Sequence, residues 1–507
     1  ARAKKIRLLE VRGALPGAVT DPETGATFAP EQGTVPKPAN FACAACGTVQ
    51  PLVDAIEATQ KTAPSSMYAI QGYAPKRNAA GKPYSGRFFA EAGVPTAKQY
   101  DAALAEWDNR KNIDLKDYWP RSCIPFGHMT HQRQPLPRHG YLNWSDMFNP
   151  RQLLVHAQLL KAIVTVGSYD WKTREFVLGA FQQYLRNQSQ FTLWNVQGDK
   201  LEPQFANNNF HPKSTVVENC VFPMLGRGNW AACVEGIVEG REWTLAPWEA
   251  VSVETLRRHD TALAEQLTGK SEKVFPGDPV GEVDVFQGSS TDITYAPTAS
   301  LDLVITDPPF GGLLHYSELS DFFYVWLRLV LKDKYPDYFR TDYTPKSLEA
   351  VANRAREPED PDGFYQRLLT QCWREAHRAL KPSGLLAFTF HHSEDAPWVS
   401  VLESLFDAGF FLEATYPIRS DETKGEGEFG SKTIEYDIIH VCRKRTEEPK
   451  PVSWGRMRRE VLADVRQLQA MLENHARAGL PAADLQVIRR GKALEYFSRH
   501  YGKVYVD

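Results

Sequence analysis

The stretch LVITDPPFGG at residues 303–312 joins an apolar strand to a stiff turn. Four apolar or β-branched residues lead directly into Asp307, Pro308, Pro309 and Phe310. The two prolines fix φ and remove two backbone donors, so the segment cannot continue a β-ladder beyond them. The pattern predicts a strand that ends in a rigid, exposed carboxylate, with a bare backbone carbonyl and an aromatic ring beside it.

Length and composition describe an ordinary soluble chain with room for more than one core. The 507 residues allow two to four domains, and 42% hydrophobic with 24% charged residues is typical of globular proteins. We find no apolar run long enough to span a membrane and no signal-peptide pattern. The seven cysteines are scattered along the chain. This usage argues against a disulfide framework and favours a cytoplasmic protein.

The net charge of −3 conceals two basic flanks around an acidic centre. Residues 1–140 carry 18 Lys and Arg against 12 Asp and Glu, and residues 443–507 carry 14 against 8, so each flank has a balance of +6. Residues 141–442 carry 27 against 42, a balance of −15. Such flanks suit a polyanion held at its ends, although the counts fit solvated surface charge equally well.

The first flank, residues 1–140, contains a candidate metal site. Cys43 and Cys46 form a C-x-x-C turn, which brings two thiolates towards one tetrahedral metal. Zinc requires four ligands, and Cys123 and His128 are the nearby residues that would complete the set. The alternative is a structural turn that binds no metal.

Residues 141–280 combine helical patterns with a polar, aromatic-studded stretch. Asn149 and Pro150 form a helix start, and 170–191 reads as a second helix. The polar stretch that follows offers Asn195, which could contact adenine, and cations suited to phosphate. The candidate DNA contacts are therefore Asn195, His211 and Lys213. An ordinary loop is the alternative.

Residues 281–445 alternate strands with helices, which predicts a mostly parallel α/β sheet with helices on both faces. Asp307 is expected at the carboxyl end of a central strand, and KPSG at 381–384 is expected to break the chain before a strand. A reversed last strand and a basic helical extension over 446–507 complete the pattern. The predicted strands are 283–290, 301–307, 385–392, 410–418 and 435–444, and the predicted helices are 317–331, 363–380 and 396–409.

DPPF after an apolar strand resembles the catalytic motif of amino-methyltransferases that use S-adenosylmethionine. LVITDPPFGGLLHYSELSDFFYVWLR, TYPIRS and ALEYFSRHYGKVY resemble adenine-specific DNA methylases of the DUF1156 type, which contain a zinc-ribbon insertion. CAACGTVQPLVDAI, SDMFNPRQLLVHAQLLKAI and FHPKSTVVEN resemble the same family. The resemblance spans essentially the whole chain. It implies a Rossmann-like methyltransferase sheet, incomplete in this chain, with a zinc-ribbon and target-recognition insertion over 1–140 and helical, DNA-contacting segments over 141–280.

The resemblance also implies roles for the DPPF turn. The Asp307 carboxylate and the Pro308 carbonyl would accept both hydrogens of an adenine N6 amine, and Pro309 would help to hold them in place. Phe310 would offer its ring to a flipped base. An aspartate at the first position resembles the adenine-directed members, whereas a serine is more typical of cytosine-N4 enzymes.

The cofactor site is expected at VFQGSS, whose turn would bring Gln287, Gly288 and Ser289, with Asp307, to the adenosine half of S-adenosylmethionine. Related enzymes also carry an upstream glycine-rich D-P-F-x-G-x-G segment for the methionine end. This sequence contains no such segment. Three alternatives follow: an upstream region supplies the segment, a second chain supplies it, or the chain is inactive.

Three hypotheses of function remain open from the sequence. The first is an adenine-N6 DNA methyltransferase of a restriction or anti-phage defence system, with DNA and a helicase-like or other defence-complex subunit as partners. The second is a non-catalytic DNA-binding or scaffold subunit that retains a methyltransferase shell. The third is methylation of another amine, such as an RNA adenine or a glutamine side chain. The intact DPPF turn favours a catalytic role.

Overall fold

The computed structural model shows a mixed α/β protein whose chain divides into two compact units. One unit comprises Ala1–Val283 and Leu319–Thr344, and the other comprises Asp284–Glu318 and Pro345–Asp507. The structure describes residues 17–20, 25–29, 40–42, 48–77, 83–133, 135–195, 200–206, 208–213, 216–222, 227–258, 261–267, 269–275, 279, 281–390, 392, 395–419, 436–473 and 482–506. Among the helices in these ranges, none is long and apolar enough to cross a bilayer.

The first unit is built from paired short strands and a helical core. Its strands form antiparallel pairs in chain order, β1 with β2 and so on to β9 with β10. The strands are Val19–Thr20 (β1), Thr27–Phe28 (β2), Asn40–Ala42 (β3), Val49–Pro51 (β4), Ala69–Arg77 (β5), Pro83–Glu91 (β6), Leu193–Asn195 (β7), Lys200–Glu202 (β8), Glu249–Ser252 (β9) and Ser271–Val274 (β10). The helices are Leu52–Glu57 (α1), Val94–Arg110 (α2), Pro150–Thr165 (α3), Trp171–Leu185 (α4), Trp230–Leu245 (α5), Val253–Leu256 (α6) and Thr261–Gln266 (α7).

The helix start predicted at Asn149 is confirmed. The Asn149 side chain accepts a hydrogen bond from the Gln152 backbone amide, and the Gln152 side chain accepts one from the Asn149 amide, so both orphan donors of the first turn are paired. Pro150 occupies the first helical position, where no amide is needed. Apolar residues of α3 then pack into the core of this unit, beside the predicted second helix, which ends earlier than expected, at Leu185.

The second unit is organised around a four-stranded mixed sheet. The strand order is β11, β12, β14, β13, with β11 parallel to β12 and with β14 antiparallel to both of its neighbours. The reversed last strand is thus confirmed. The strands are Leu301–Thr306 (β11), Leu380–Thr389 (β12), Phe410–Arg419 (β13), Tyr436–Lys444 (β14), Val452–Ser453 (β15) and Val504–Tyr505 (β16). The helices are Tyr316–Leu331 (α8), which continues into the first unit, Pro361–Ala379 (α9), Asp395–Asp407 (α10), Trp454–Glu473 (α11) and Ala482–Arg499 (α12).

The core of the second unit explains why α9 and α10 form where they do. Helix α9 has a strongly one-sided apolar pattern, and its buried residues Tyr365, Leu369 and Trp373 join the core cluster under the sheet. Asp360 caps its first turn by accepting from the Gly363 amide. The apolar face of α10 enters the same cluster. These helices fasten the carboxyl ends of β11 and β12 to a common core.

Three expectations for the sheet are wrong. Residues 283–290 form no strand, since they pair with no neighbour among the described residues and leave Val285 90% exposed. The KPSG segment does not break the chain before β12, because β12 already begins at Leu380 and absorbs the extra residues at an irregularity opposite Leu301 and Leu303. Strand β11 is an edge strand of the described sheet rather than a central one, because only β12 pairs with it.

Candidate active site

The candidate site is the turn that follows β11. The strand ends at Thr306, and the Asp307 side chain is exposed while Pro308 is buried behind it. Gly311 adopts φ 63°, in the left-handed region that favours glycine. The chain therefore leaves the sheet abruptly and presents a carboxylate at the carboxyl end of a strand, where ligands of α/β sheets commonly bind.

Thr389 holds the Asp307 carboxylate in place. Thr306 pairs with Phe388 in the parallel register, so Thr389 is the next residue along β12, beside Asp307. The Thr389 hydroxyl donates a hydrogen bond to Asp307 Oδ1 at 2.5 Å. A hydroxyl bound to one carboxylate oxygen restricts its rotation and leaves Oδ2 available to another donor.

The two proline carbonyls of the turn have different surroundings. The Pro309 carbonyl accepts from the buried Tyr365 hydroxyl of α9 at 2.5 Å and from the Gly311 amide at 3.1 Å. Burial raises the pKa of Tyr365, which keeps that hydroxyl protonated as a donor. The Pro308 carbonyl, in contrast, accepts no hydrogen bond from the described residues. Asp307 Oδ2 and the Pro308 carbonyl are therefore two acceptors of the turn that receive no hydrogen bond from the described residues.

The Phe310 ring packs against the core of the second unit and is only partly exposed. Its ring is partly buried and meets Phe390 edge-to-face, with centroids 5.1 Å apart and planes at 76°. It also packs against the core cluster of this unit. The ring is therefore anchored rather than loose, and its contact with a flipped base stays a prediction.

The segment after the turn is tied to the loop that precedes α9. Gly312 approaches so closely that a Cβ there would lie 2.7 Å from the Ala352 carbonyl oxygen. Glu349 accepts from the Ser317 amide at 2.8 Å and from the Ser317 hydroxyl at 2.6 Å, and it forms an ion pair with Arg356 at 3.0 Å. These contacts fix the start of α8 immediately behind the DPPF turn.

Tyr316 lies within electrostatic reach of the Asp307 carboxylate. Burial of its hydroxyl, followed by the charges of Asp307 and Glu349, raises the pKa of Tyr316. Its side chain is nevertheless 48% exposed, which leaves a neutral phenol beside the turn. Sequence reasoning did not single out Tyr316, Thr389 or Tyr365. Thr389 could have been found from the expected parallel pairing of β11 and β12. Parallel neighbours bring their carboxyl ends to the same edge of the sheet, which places Thr389 near Asp307.

The predicted cofactor residues Gln287, Gly288 and Ser289 lie on an exposed segment of the second unit. The Ser289 hydroxyl bonds the Thr291 hydroxyl at 2.8 Å, and no contact among the described residues joins these three residues to Asp307. The preceding residues line an open cavity of about 550 Å³ that reaches Leu301, at the start of β11. Six strand residues separate that end from Asp307, a span of about 20 Å. Their contact with the cofactor stays a prediction.

The candidate zinc ligands are only partly described. Cys43 and Cys46 lie outside the described residues. Cys123 is an exposed free thiol whose backbone carbonyl accepts from the Tyr343 hydroxyl at 2.7 Å, and His128 Nδ1 bonds Gln132 Oε1 at 3.1 Å. Within the described ranges no group of three or more His, Cys, Asp or Glu side chains is arranged to hold a metal. The zinc site stays a prediction, and no chemistry is assigned to it.

The predicted DNA contacts all lie in the first unit. Asn195 ends β7, and its side-chain amide donates to Glu202 Oε1 of β8 at 3.0 Å, so it helps to hold this hairpin. His211 and Lys213 are half-buried in the segment 208–213, and the charge of His211 contributes to lowering the pKa of His139, after burial and Arg138. Their contact with DNA stays a prediction.

Comparison with known proteins gives a loose structural likeness. No protein-family model matches the chain, and no curated protein matches it. Two crystal structures of one Thermus thermophilus protein, provisionally named a DNA modification methylase, align with it. The selenomethionine form aligns with TM-score 0.19 and 20% identity, over 32% of this chain and 54% of that one. The other gives 0.18 and 18%, over 32% and 55%. The match spans about half of that protein's length and is too loose to assign a function.

Proposed function

We propose that this chain carries the amine-binding half of a DNA methyltransferase, which transfers a methyl group from S-adenosylmethionine to adenine N6. The observation that carries the proposal is the pair of open acceptors at the DPPF turn. Asp307 is fixed through one oxygen by Thr389, while its other oxygen and the Pro308 carbonyl have no partner among the described residues. A primary amine has two hydrogens to donate, which is the number that this pair can accept.

The chemistry requires those two acceptors to be in place before the base arrives. The N6 lone pair of adenine is delocalised into the ring and is a poor nucleophile. Hydrogen bonds from both N6 hydrogens to Asp307 Oδ2 and the Pro308 carbonyl favour a pyramidal nitrogen with a localised lone pair. When bound, S-adenosylmethionine supplies the methyl group that this lone pair attacks. As the new C–N bond forms, the bond between the methyl group and the sulfonium sulfur breaks and N6 loses one proton, which Asp307 would accept.

Rigidity is the protein's main contribution to this step. The prolines, the Thr389 hydroxyl and the Tyr365 hydroxyl hold the acceptors without any reorganisation at the moment of reaction. The exposed position of Asp307 gives a flipped base access to the turn. Phe310, or the nearby Tyr316 ring, offers that base an aromatic neighbour.

The cofactor half of the site would come from outside the described sheet. Among the described strands β11 pairs only with β12, in parallel, and its Leu303 is 49% and its Ile305 74% exposed. Parallel strands are normally buried on both faces, so these apolar side chains call for a covering element. We therefore propose that an upstream region or a second chain with the glycine-rich loop covers this face and pairs a further strand with the open edge. Gln287, Gly288 and Ser289 would contact the adenosine half.

The same open edge favours the second candidate function, a non-catalytic DNA-binding or scaffold subunit. A defence role and a helicase-like partner belong to either candidate and rest on the resemblance alone. The third candidate, another amine substrate, uses the same turn. The identity of the methylated product separates the catalytic candidates from each other and from the scaffold.

The test of the proposed function is to identify the product. The protein, purified together with any co-expressed partner, is incubated with labelled S-adenosylmethionine and, in separate reactions, an adenine-containing DNA duplex, RNA or protein, and the labelled products are digested and separated. We expect the label in N6-methyladenine. Label in N4-methylcytosine, in RNA or in protein would show that the substrate is not adenine in DNA. The absence of any labelled product would favour the scaffold function.

A further inference from the structure

Helices α11 and α12 of the second unit form a groove with an apolar floor and a basic rim. Met457, Val461 and Val465 are buried between the helices and belong to one small core cluster. The groove above them has a volume of about 220 Å³. Trp454, Arg458 and Leu462 line it from α11, and Arg489 and Ala493 line it from α12.

The two arginines at the rim have no ion-pair partner among the described residues. Arg458 and Arg489 are both exposed. The described acids nearby are already engaged, since Glu460 pairs with Arg456, Asp464 accepts from the Tyr496 hydroxyl, and Glu495 pairs with Lys492 and Arg499. Two like charges that line one groove repel each other, and a bound anion would remove that cost.

We propose that this groove binds the phosphodiester backbone of DNA. The inference rests on the proposed function, in which DNA is the substrate, and it assigns a specific surface to DNA binding. Arginine binds phosphate with two parallel hydrogen bonds, which a groove with two guanidinium groups supports. The half-exposed Trp454 adds an indole N–H and an aromatic face at the same groove.

The distribution of charge favours a polymeric anion over a single carboxylate. Arg459 and Arg466 are also exposed and also lack an ion pair among the described residues, and Arg466 lies eight residues beyond Arg458 on α11. Eight residues of helix span about 12 Å, so exposed cations recur along the length of α11. A DNA strand likewise presents phosphates along its length. An acidic peptide is the competing occupant, and the test below separates the two.

The test compares the Arg458→Gln/Arg489→Gln variant with the matched control Arg456→Gln/Arg499→Gln. Both variants lose two positive charges from the same helices, but Arg456 and Arg499 already pair with Glu460 and Glu495. Binding of the full chain to a labelled duplex is measured by fluorescence anisotropy at several salt concentrations. For the groove variant, we expect weaker binding and a salt-dependence slope reduced by about two, one for each lost phosphate contact. The control should retain more of both.

Each outcome decides the proposal. Equal losses in the two variants would mean that only net charge matters, which overturns the groove. An acidic peptide that binds the parent but not the groove variant, while both proteins bind DNA equally well, would also overturn it in favour of a peptide site. If the groove variant binds DNA like the parent while the parent methylates adenine, the groove fails and the proposed function stands. A parent that binds no DNA would overturn the groove, and the proposed function would still be decided by the methylated product.

Discussion

At the scale of single residues, the site depends on how Asp307 is held. An exposed carboxylate on a strand end would normally rotate freely, but the Thr389 hydroxyl binds Oδ1 at 2.5 Å and fixes the side chain. Because Oδ1 is bound, the position of Oδ2 is restricted as well. The active geometry therefore rests on one hydroxyl of the neighbouring strand as well as on the aspartate itself.

Thr389→Val tests this positioning role, because valine keeps the shape of threonine and removes the hydroxyl. We expect methyl transfer to slow by on the order of 10- to 100-fold, since a small misplacement of a reacting group costs rates of this size. The loss should lie in kcat, with KM for DNA nearly unchanged. Thr389→Ser should restore most of the rate. Equal kcat for Thr389→Val and the parent would show that Asp307 needs no such support.

At the scale of secondary-structure elements, helix α9 supports the DPPF turn through a hydrogen bond. Tyr365 is buried in α9 and donates to the Pro309 carbonyl, which keeps the second proline in place. The Glu349 contacts with Ser317 and Arg356 hold the chain on the far side of the turn. The turn is thus supported at both of its ends.

Tyr365→Phe removes one hydroxyl from this arrangement without changing the ring. Net hydrogen bonds contribute about 1 kcal/mol, so we expect the free energy of unfolding to fall by roughly 1 kcal/mol in a denaturant titration. Methyl transfer should fall as well, because the turn gains freedom. If Tyr365→Phe has the stability and the methyl-transfer rate of the parent, the hydrogen bond to the Pro309 carbonyl neither stabilises the fold nor supports catalysis.

The elements near the site were only partly predictable from the sequence. Strand β11 and the helix start at Asn149 follow from local patterns, namely an apolar run into two prolines and a capping box. The contact of Thr389 with Asp307 depends on the register of two strands that are about eighty residues apart, which no local pattern contains. The strand expected at 283–290 failed because a strand needs a partner, and none of the described residues provides one.

At the scale of the whole molecule, each unit buries a histidine that stays neutral. Burial lowers the pKa of His156 in the first unit and of His440 in the second to about 4, from an ordinary 6.5. His440 stacks on Phe388 at 4.7 Å and meets Trp398 edge-on, so it is enclosed by rings. Charging either histidine inside its core is unfavourable.

This burial predicts a loss of stability in mild acid. Below pH 6.5 the unfolded chain takes up a proton at each histidine ring, whereas the folded chain does so only near pH 4. The free energy of unfolding is therefore highest above pH 6.5 and decreases as the pH falls towards 4. Each ring contributes a loss of about 3 kcal/mol over that range. His440→Phe should therefore lose less stability between pH 7 and pH 5 than the parent does. Identical pH profiles in thermal unfolding would contradict a neutral His440.

The central claim is that Asp307 accepts a hydrogen from the amine that is methylated. The most direct measurement compares Asp307→Ala with Asp302→Ala. Asp302 is an exposed carboxylate within β11, the strand that precedes the turn, and its described ion pair is with Lys381. Both are assayed with labelled S-adenosylmethionine and adenine-containing duplex, with any partner present. We expect Asp307→Ala to lose on the order of 10²–10³ in rate, since one preorganised acceptor is removed, with DNA binding and folding retained. Asp302→Ala should match the parent. If Asp307→Ala methylates as fast as the parent, the turn is not catalytic.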